Sequence, residues 1–157
     1  MYFDILYDNP GNKQGLVEGY WFLVTKKWLV AIVDDELDIV NLFRECLSGI
    51  NDILIFTFTD PFIALEHFIT NKDTYFLIIS DLRMPSLCGI EFLKKVKKEN
   101  PLVRTLLMTA FEIDDKLFQE YTKADIINDF LQKPIRLKDL RSAVTKHLIS
   151  YKRNLKD

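Results

Sequence analysis

Trp28-Leu29-Val30-Ala31-Ile32-Val33-Asp34-Asp35 is a run of six apolar residues that stops on two carboxylates. An apolar run of this length, with no polar residue at alternate positions, is the pattern of a strand covered on both faces. Directly after it, Ile39, Val40, Phe43 and Leu47 recur at helical spacing, and Glu36 and Asp38 put acid where a helix N-terminus favours it. The stretch therefore predicts a buried strand feeding a helix over residues 36–48.

The alternation continues along the chain. Residues 53–58 read as a second strand. Thr59-Asp60-Pro61 reads as a helix start, a capping residue with proline in the first turn, and Ala64, Leu65, Phe68 and Ile69 are expected on the buried face of that helix. Residues 75–79 form a third strand ending at Ser80-Asp81, and a loop with Pro85 and Gly89 leads to a helix over 90–98. Residues 105–108 form a fourth strand ending at Thr109. A helix lies within 114–121. Residues 129–132 form a short fifth strand ending at Lys133-Pro134. The last helix covers 137–150, with Leu137, Leu140, Val144 and Leu148 on one side. Strand and helix alternate five times, which predicts an α/β fold: a doubly wound five-stranded parallel sheet with helices on both faces.

The totals agree with one domain. The chain has 157 residues, 48% of them apolar, and a formal net charge of -2, so no general nucleic-acid or membrane surface is indicated. Cys46 and Cys88 make no disulfide framework and fit a reducing, cytoplasmic setting. No apolar run reaches bilayer length, because Lys26 and Lys27 interrupt the richest early stretch.

In a parallel sheet, ligands gather at the carboxyl ends of the strands, where the winding reverses. Here the strand ends bring Asp34, Asp35, Asp81, Thr109 and Lys133 to one edge. Clustered carboxylates repel one another, by roughly 4 kcal/mol for two unit charges 4 Å apart at an effective dielectric near 20. Such a site takes up protons or a cation. Three carboxylates and one lysine sum to -2, a charge that Mg²⁺ neutralises with the oxygen ligands it prefers. A carboxylate can also accept a phosphoryl group, and phosphoryl transfer chiefly needs positioning and charge neutralisation.

Asp34-Asp35, Ser80-Asp81-Leu82-Arg83-Met84-Pro85, Met108-Thr109-Ala110 and Lys133-Pro134 together resemble the motif set of response-regulator receiver domains, over residues 27–151. The resemblance implies a flavodoxin-like fold with strand order 2-1-3-4-5. It implies that Asp81 is phosphorylated by a partner histidine kinase or phosphotransfer protein. Asp34, Asp35, Asp81 and the backbone carbonyl of Arg83 would hold Mg²⁺; Thr109, with Ala110 beside it, would bond phosphoryl oxygens, and Lys133 would pair with acceptor and phosphate. Phe130, three residues before Lys133, takes the place of the switch aromatic. The resemblance also implies a cis Lys133-Pro134 bond and a downstream partner on the face of the fourth helix, fifth strand and fifth helix. A homodimer is a further candidate partner. Such a protein is a phosphoacceptor switch, acting only on its own phosphorylation and dephosphorylation.

Each motif alone has a plainer reading. Adjacent acids are usually a solvated turn or a cap, Lys133 alone a surface lysine, and Phe130 a half-buried core aromatic. His67 and His147 read as helix-surface residues, and Cys88 as a small buried thiol. The Lys94–Lys98 cluster reads as a solvated helix face. Two departures from the family pattern stand out: Phe111 and Arg83 flank the motifs as large or basic residues, and 123–130 lacks the usual glycine. Phe111 is expected to shield an acyl phosphate from water. The competing functions are a pseudo-receiver that only binds partners and a phosphohydrolase with an aspartyl nucleophile. The full residue set argues against the first. Against the second stands the lack of an Asp-x-Asp pattern after the first strand. Residues 1–26 read as an irregular, aromatic-rich leader that docks on its own or a neighbouring domain, and 152–157 as a short tail without room for an output domain.

Overall fold

The computed structural model describes residues 27–112 and 115–156, so the expectations for the leader 1–26 lie outside it. Its elements are β1 (Trp28–Val33), α1 (Leu37–Leu47), β2 (Ile53–Phe58), α2 (Pro61–Asn71), β3 (Tyr75–Asp81), α3 (Gly89–Glu99), β4 (Arg104–Thr109), α4 (Asp115–Lys123), β5 (Asp129–Gln132) and α5 (Leu137–Asn154). The strands form one parallel sheet in the order β2-β1-β3-β4-β5.

Side chains alternate across β1, and each face has its own core. Trp28, Val30 and Ile32 meet Val40, Phe43 and Leu47 of α1 and Leu140, Val144 and Leu148 of α5. Leu29, Ala31 and Val33 meet Ala64 and Phe68 of α2 and Phe92, Leu93 and Val96 of α3. All of β1 and β3 is buried, as a strand covered on both faces requires. The winding reverses between β1 and β3, which sets the ligand edge beside their carboxyl ends.

Local chemistry fixes the helix ends. The Asp60 carboxylate accepts the Phe62 and Ile63 N–H groups, with Pro61 in the first turn of α2. After α4, Asp125 stands in for the missing glycine at φ 53, and the Asp125 and Ile126 N–H groups bond back to the Thr122 and Tyr121 carbonyls. That is a left-handed helix cap, which aspartate tolerates better than most residues.

Several expectations are corrected. α5 runs to Asn154, so the boundary expected at 151/152 falls inside a helix. Tyr151 extends it by packing edge-on against Trp28 at 5.0 Å and beside Phe76 at 5.7 Å. Ile69 is 43% exposed and Leu137 39%, so neither lies on a buried face. His147 is buried between Arg104 and Asp129 rather than on the surface. Arg104 can only donate, so the His147 Nδ1 accepts and its Nε2–H donates to Asp129. His67 is half-buried against Phe56 and Phe58 and meets the Tyr75 hydroxyl at 2.7 Å. Cys88, expected buried, is exposed at the start of α3.

Candidate functional site

The parallel sheet delivers the strand ends to one edge. Asp34 follows β1 and is fully buried, Asp81 closes β3, Thr109 closes β4, and Lys133 follows β5. Carboxylate oxygens of Asp34, Asp35 and Asp81 all lie within 4.8 Å of one another. The Lys133 Nζ donates to Asp34 Oδ2 at 3.1 Å and meets Asp81 Oδ1 at 3.0 Å. Asp34 Oδ1 accepts the Glu36 N–H at 2.9 Å, which fixes its carboxylate plane. The structure brings Asp34, Asp35, Asp81 and Lys133 together, while Thr109 ends the neighbouring strand with its hydroxyl turned to its own loop.

Electrostatics follow from this crowding. Burial, helped by the neighbouring Asp34 charge, raises the Asp81 carboxyl above its ordinary range, although Lys133 pulls it back. Burial would lower the Lys133 ammonium, but its hydrogen bonds to Asp81 and Asp34 outweigh that and raise it. Asp81 and Lys133 are thus shifted in the same upward direction, the first chiefly by burial and the second by its hydrogen bonds to the carboxylates. Because the folded pKa of Asp81 lies above its unfolded value, its ionisation costs stability as pH rises through that window, and none below it. Asp81→Asn removes that cost. The variant is expected to melt above the wild type at pH 7.5 in EDTA and to converge with it near about pH 4. A variant that melts below the wild type at pH 7.5 contradicts this account.

Two loops wall the site. A cavity of about 250 Å³ is lined by Asp35, Glu36, Asp81, Leu82, Arg83, Ala110, Phe111 and Lys133. Within this lining the Arg83 guanidinium lies 4.0 Å from the Phe111 ring centroid, a cation–π contact joining the loops after β3 and β4. The Thr109 Oγ1 accepts the Phe111 N–H at 3.0 Å, so the hydroxyl is held by its own loop. Ala110 is exposed on the cavity wall. Phe130 is not in the cavity; its half-buried ring packs on Phe118 of α4, centroids 4.4 Å apart. Lys133-Pro134 is cis.

Residues 30–145 match the response regulator receiver domain. The chain belongs to that family. As a receiver it is 31% identical over 120 residues to sporulation initiation phosphotransferase F of Bacillus subtilis, covering 76% of this chain and 92% of that protein. It is 30% identical over 143 residues to the cyclic di-GMP phosphodiesterase response regulator RpfG of Xanthomonas campestris, covering 88% of this chain but 37% of that protein. Among solved structures, the receiver domain of a LuxO repressor protein from Vibrio parahaemolyticus superposes with a TM-score of 0.71 at 25% identity, over 82% of this chain and 95% of the other. The chain is therefore a receiver domain of a two-component response regulator. Receiver domains are phosphoacceptor switches whose acidic pocket binds Mg²⁺, and the Asp34–Asp35–Asp81 cluster is an acidic pocket of that kind. Among the described residues, no helix is long and apolar enough to cross a membrane.

Sequence reasoning missed three parts of this receiver. Gly89, in sequence only a loop glycine, lies directly against the Asp81 carbonyl. The Arg83–Phe111 stack joins residues remote in sequence. Gln132 ties two strand ends together through its side chain.

Proposed function

We propose that Asp81 accepts a phosphoryl group from a phosphohistidine on a partner kinase or phosphotransfer protein. An Asp81 carboxylate oxygen bonds to phosphorus as the donor P–N bond breaks, and the electron pair of that bond returns to the donor imidazole. The observation that carries this reading is the Lys133 ammonium held between Asp34 and Asp81, beside three carboxylates within reach of one cation. The donor set is all hard oxygen and fits Mg²⁺, with Asp34, Asp35, Asp81 and the Arg83 carbonyl as its ligands. When bound, that ion neutralises charge on the transferring oxygens. Lys133 pairs with the phosphate that replaces the Asp81 charge. Thr109 leaves the Phe111 N–H and donates its hydroxyl to a phosphoryl oxygen.

That exchange at Thr109 is the start of the switch. The loop after β4 shifts, the Phe130 ring leaves its packing on Phe118 and rotates inward, and the face of α4, β5 and α5 changes its affinity for a downstream protein or a second copy of this chain. A ligand moves such an equilibrium only by its differential affinity, about tenfold for each 1.4 kcal/mol. The setting we assign is the cytoplasm. The direct test is titration with Mg²⁺ and beryllofluoride, a phosphoryl mimic, followed by intrinsic tryptophan fluorescence and backbone chemical shifts. Saturable binding that requires Mg²⁺ and is lost in Asp81→Asn is expected. Binding that survives in Asp81→Asn contradicts the assignment.

Arg83 and Phe111 both line the cavity and stack on one another, and we assign to that stack the shielding of the acyl phosphate from water. Phe111→Ala is therefore expected to shorten the phosphorylated half-life about threefold, the scale of one lost contact of about 0.7 kcal/mol. Arg83→Ala should act in the same direction, and the double variant should add little. A half-life unchanged in Phe111→Ala counts against shielding.

A further inference from the structure

The pairing of β4 and β5 ends at the functional edge. Their last paired residues are Thr109 and Gln132, and β5 is only four residues long. Pro134 follows and carries no N–H. The two groups assigned to the phosphoryl oxygens, Thr109 and Lys133, therefore sit at the last rung of the strand ladder. Two hydrogen bonds still join them. The Lys133 N–H donates to the Thr109 carbonyl at 2.7 Å. The Gln132 side chain adds the second: its Nε2 lies 3.1 Å from the Thr109 carbonyl oxygen and 3.3 Å from the Lys133 carbonyl oxygen. Both partners are carbonyls, which can only accept, so the amide end of Gln132 and not its oxygen must face them.

We propose that Gln132 is a positioning residue for phosphoryl capture: its carboxamide clamps the Thr109 and Lys133 backbones together. The proposal rests on the assignment of Asp81 as acceptor. Thr109 and Lys133 approach the phosphoryl group from two different strands, and their separation must be fixed for both to reach it at once. Preorganisation of that kind strengthens binding by removing the ordering that binding would otherwise require. Gln132 does not touch the acceptor; it acts through the two backbones it holds. It is exposed, so its substitution leaves the core intact.

Two variants of similar length separate a donor role from packing. Gln132→Met keeps the shape and loses the donor. Gln132→Glu keeps the shape and turns an acceptor toward two carbonyls. In the metal-free protein, exchange of the Lys133 amide should quicken about threefold in Gln132→Met and more in Gln132→Glu, as expected for one partly exposed hydrogen bond. The apparent Kd for beryllofluoride with Mg²⁺ should rise in the same order, about threefold for Gln132→Met. Wild-type exchange and Kd in Gln132→Met overturn the inference alone. Wild-type exchange and Kd in Gln132→Glu also overturn it, because a carboxylate facing two carbonyls cannot replace the donor. A wild-type protein that binds no beryllofluoride overturns the acceptor assignment and the inference with it.

Discussion

Lys133→Met is expected to lose about 2 kcal/mol of stability at pH 7.5 in EDTA, a fall in Tm of roughly 4–8 °C for a chain of this size. The Lys133 ammonium holds the fully buried Asp34 and the nearly buried Asp81 at 3.1 and 3.0 Å. Removing one partner of a buried pair leaves an uncompensated charge, which costs about 3–5 kcal/mol when the site is wholly dry. Here the lysine side chain is 22% exposed, and solvent screening reduces the figure. The loss has a pH signature. Lys133 is what draws the Asp81 carboxyl down, so without it that carboxyl rises further. A raised carboxyl penalises the fold only above its titration, so the gap between variant and wild type should close toward about pH 4. Added Mg²⁺ should close part of the gap at pH 7.5, because a divalent ion supplies the missing positive charge. A pH-independent difference, or none, contradicts the assigned electrostatics.

Gly89→Ala should be comparably damaging for a steric reason. A Cβ at Gly89 would lie 2.1 Å from the Asp81 carbonyl oxygen and 2.9 Å from the Leu107 Cδ1. Leu107 can rotate away, but the carbonyl cannot move without shifting the end of β3. Forcing in the extra methyl is expected to cost about 2 kcal/mol, within the usual range for overpacking. The displaced backbone also carries the Asp81 carboxylate. A shift of about 1 Å at a reacting group can cost about a hundredfold, so phosphorylation by acetyl phosphate should slow at least about tenfold. Cys88→Ala, at the exposed neighbouring position, is the control and should match the wild type in both measurements. A Gly89→Ala protein with wild-type Tm and rate would show that the close approach has no consequence.

The sheet was legible because β1 and residues 75–79 of β3 are apolar or aromatic and buried on both faces, with the polar residues held to the strand end. The five site residues were legible because each ends a strand, and a parallel sheet turns that sequence fact into proximity. What escaped depends on contacts between distant segments. The end of α5 is set by Tyr151 meeting Trp28 and Phe76. α2 is apolar on nearly every side, so periodicity could not tell buried Phe68 from exposed Ile69. His147 sits in a polar stretch and is buried only because Arg104 and Asp129 satisfy both ring nitrogens. The missing glycine before β5 was a fair warning about loop shape, and Asp125 answers it by taking the left-handed conformation. Gln132 gave no signal, since a polar residue in a short edge strand ordinarily faces water.

The central claim is that Asp81 is a Mg²⁺-dependent phosphoryl acceptor. Its most direct test is intact mass after incubation with acetyl phosphate and Mg²⁺, beside Asp81→Asn and a metal-free sample. A gain of one phosphoryl group in the wild type alone, absent from both controls, is the predicted result. No gain from acetyl phosphate or from a phosphorylated histidine kinase would contradict the account and leave a fold that binds partners without phosphate.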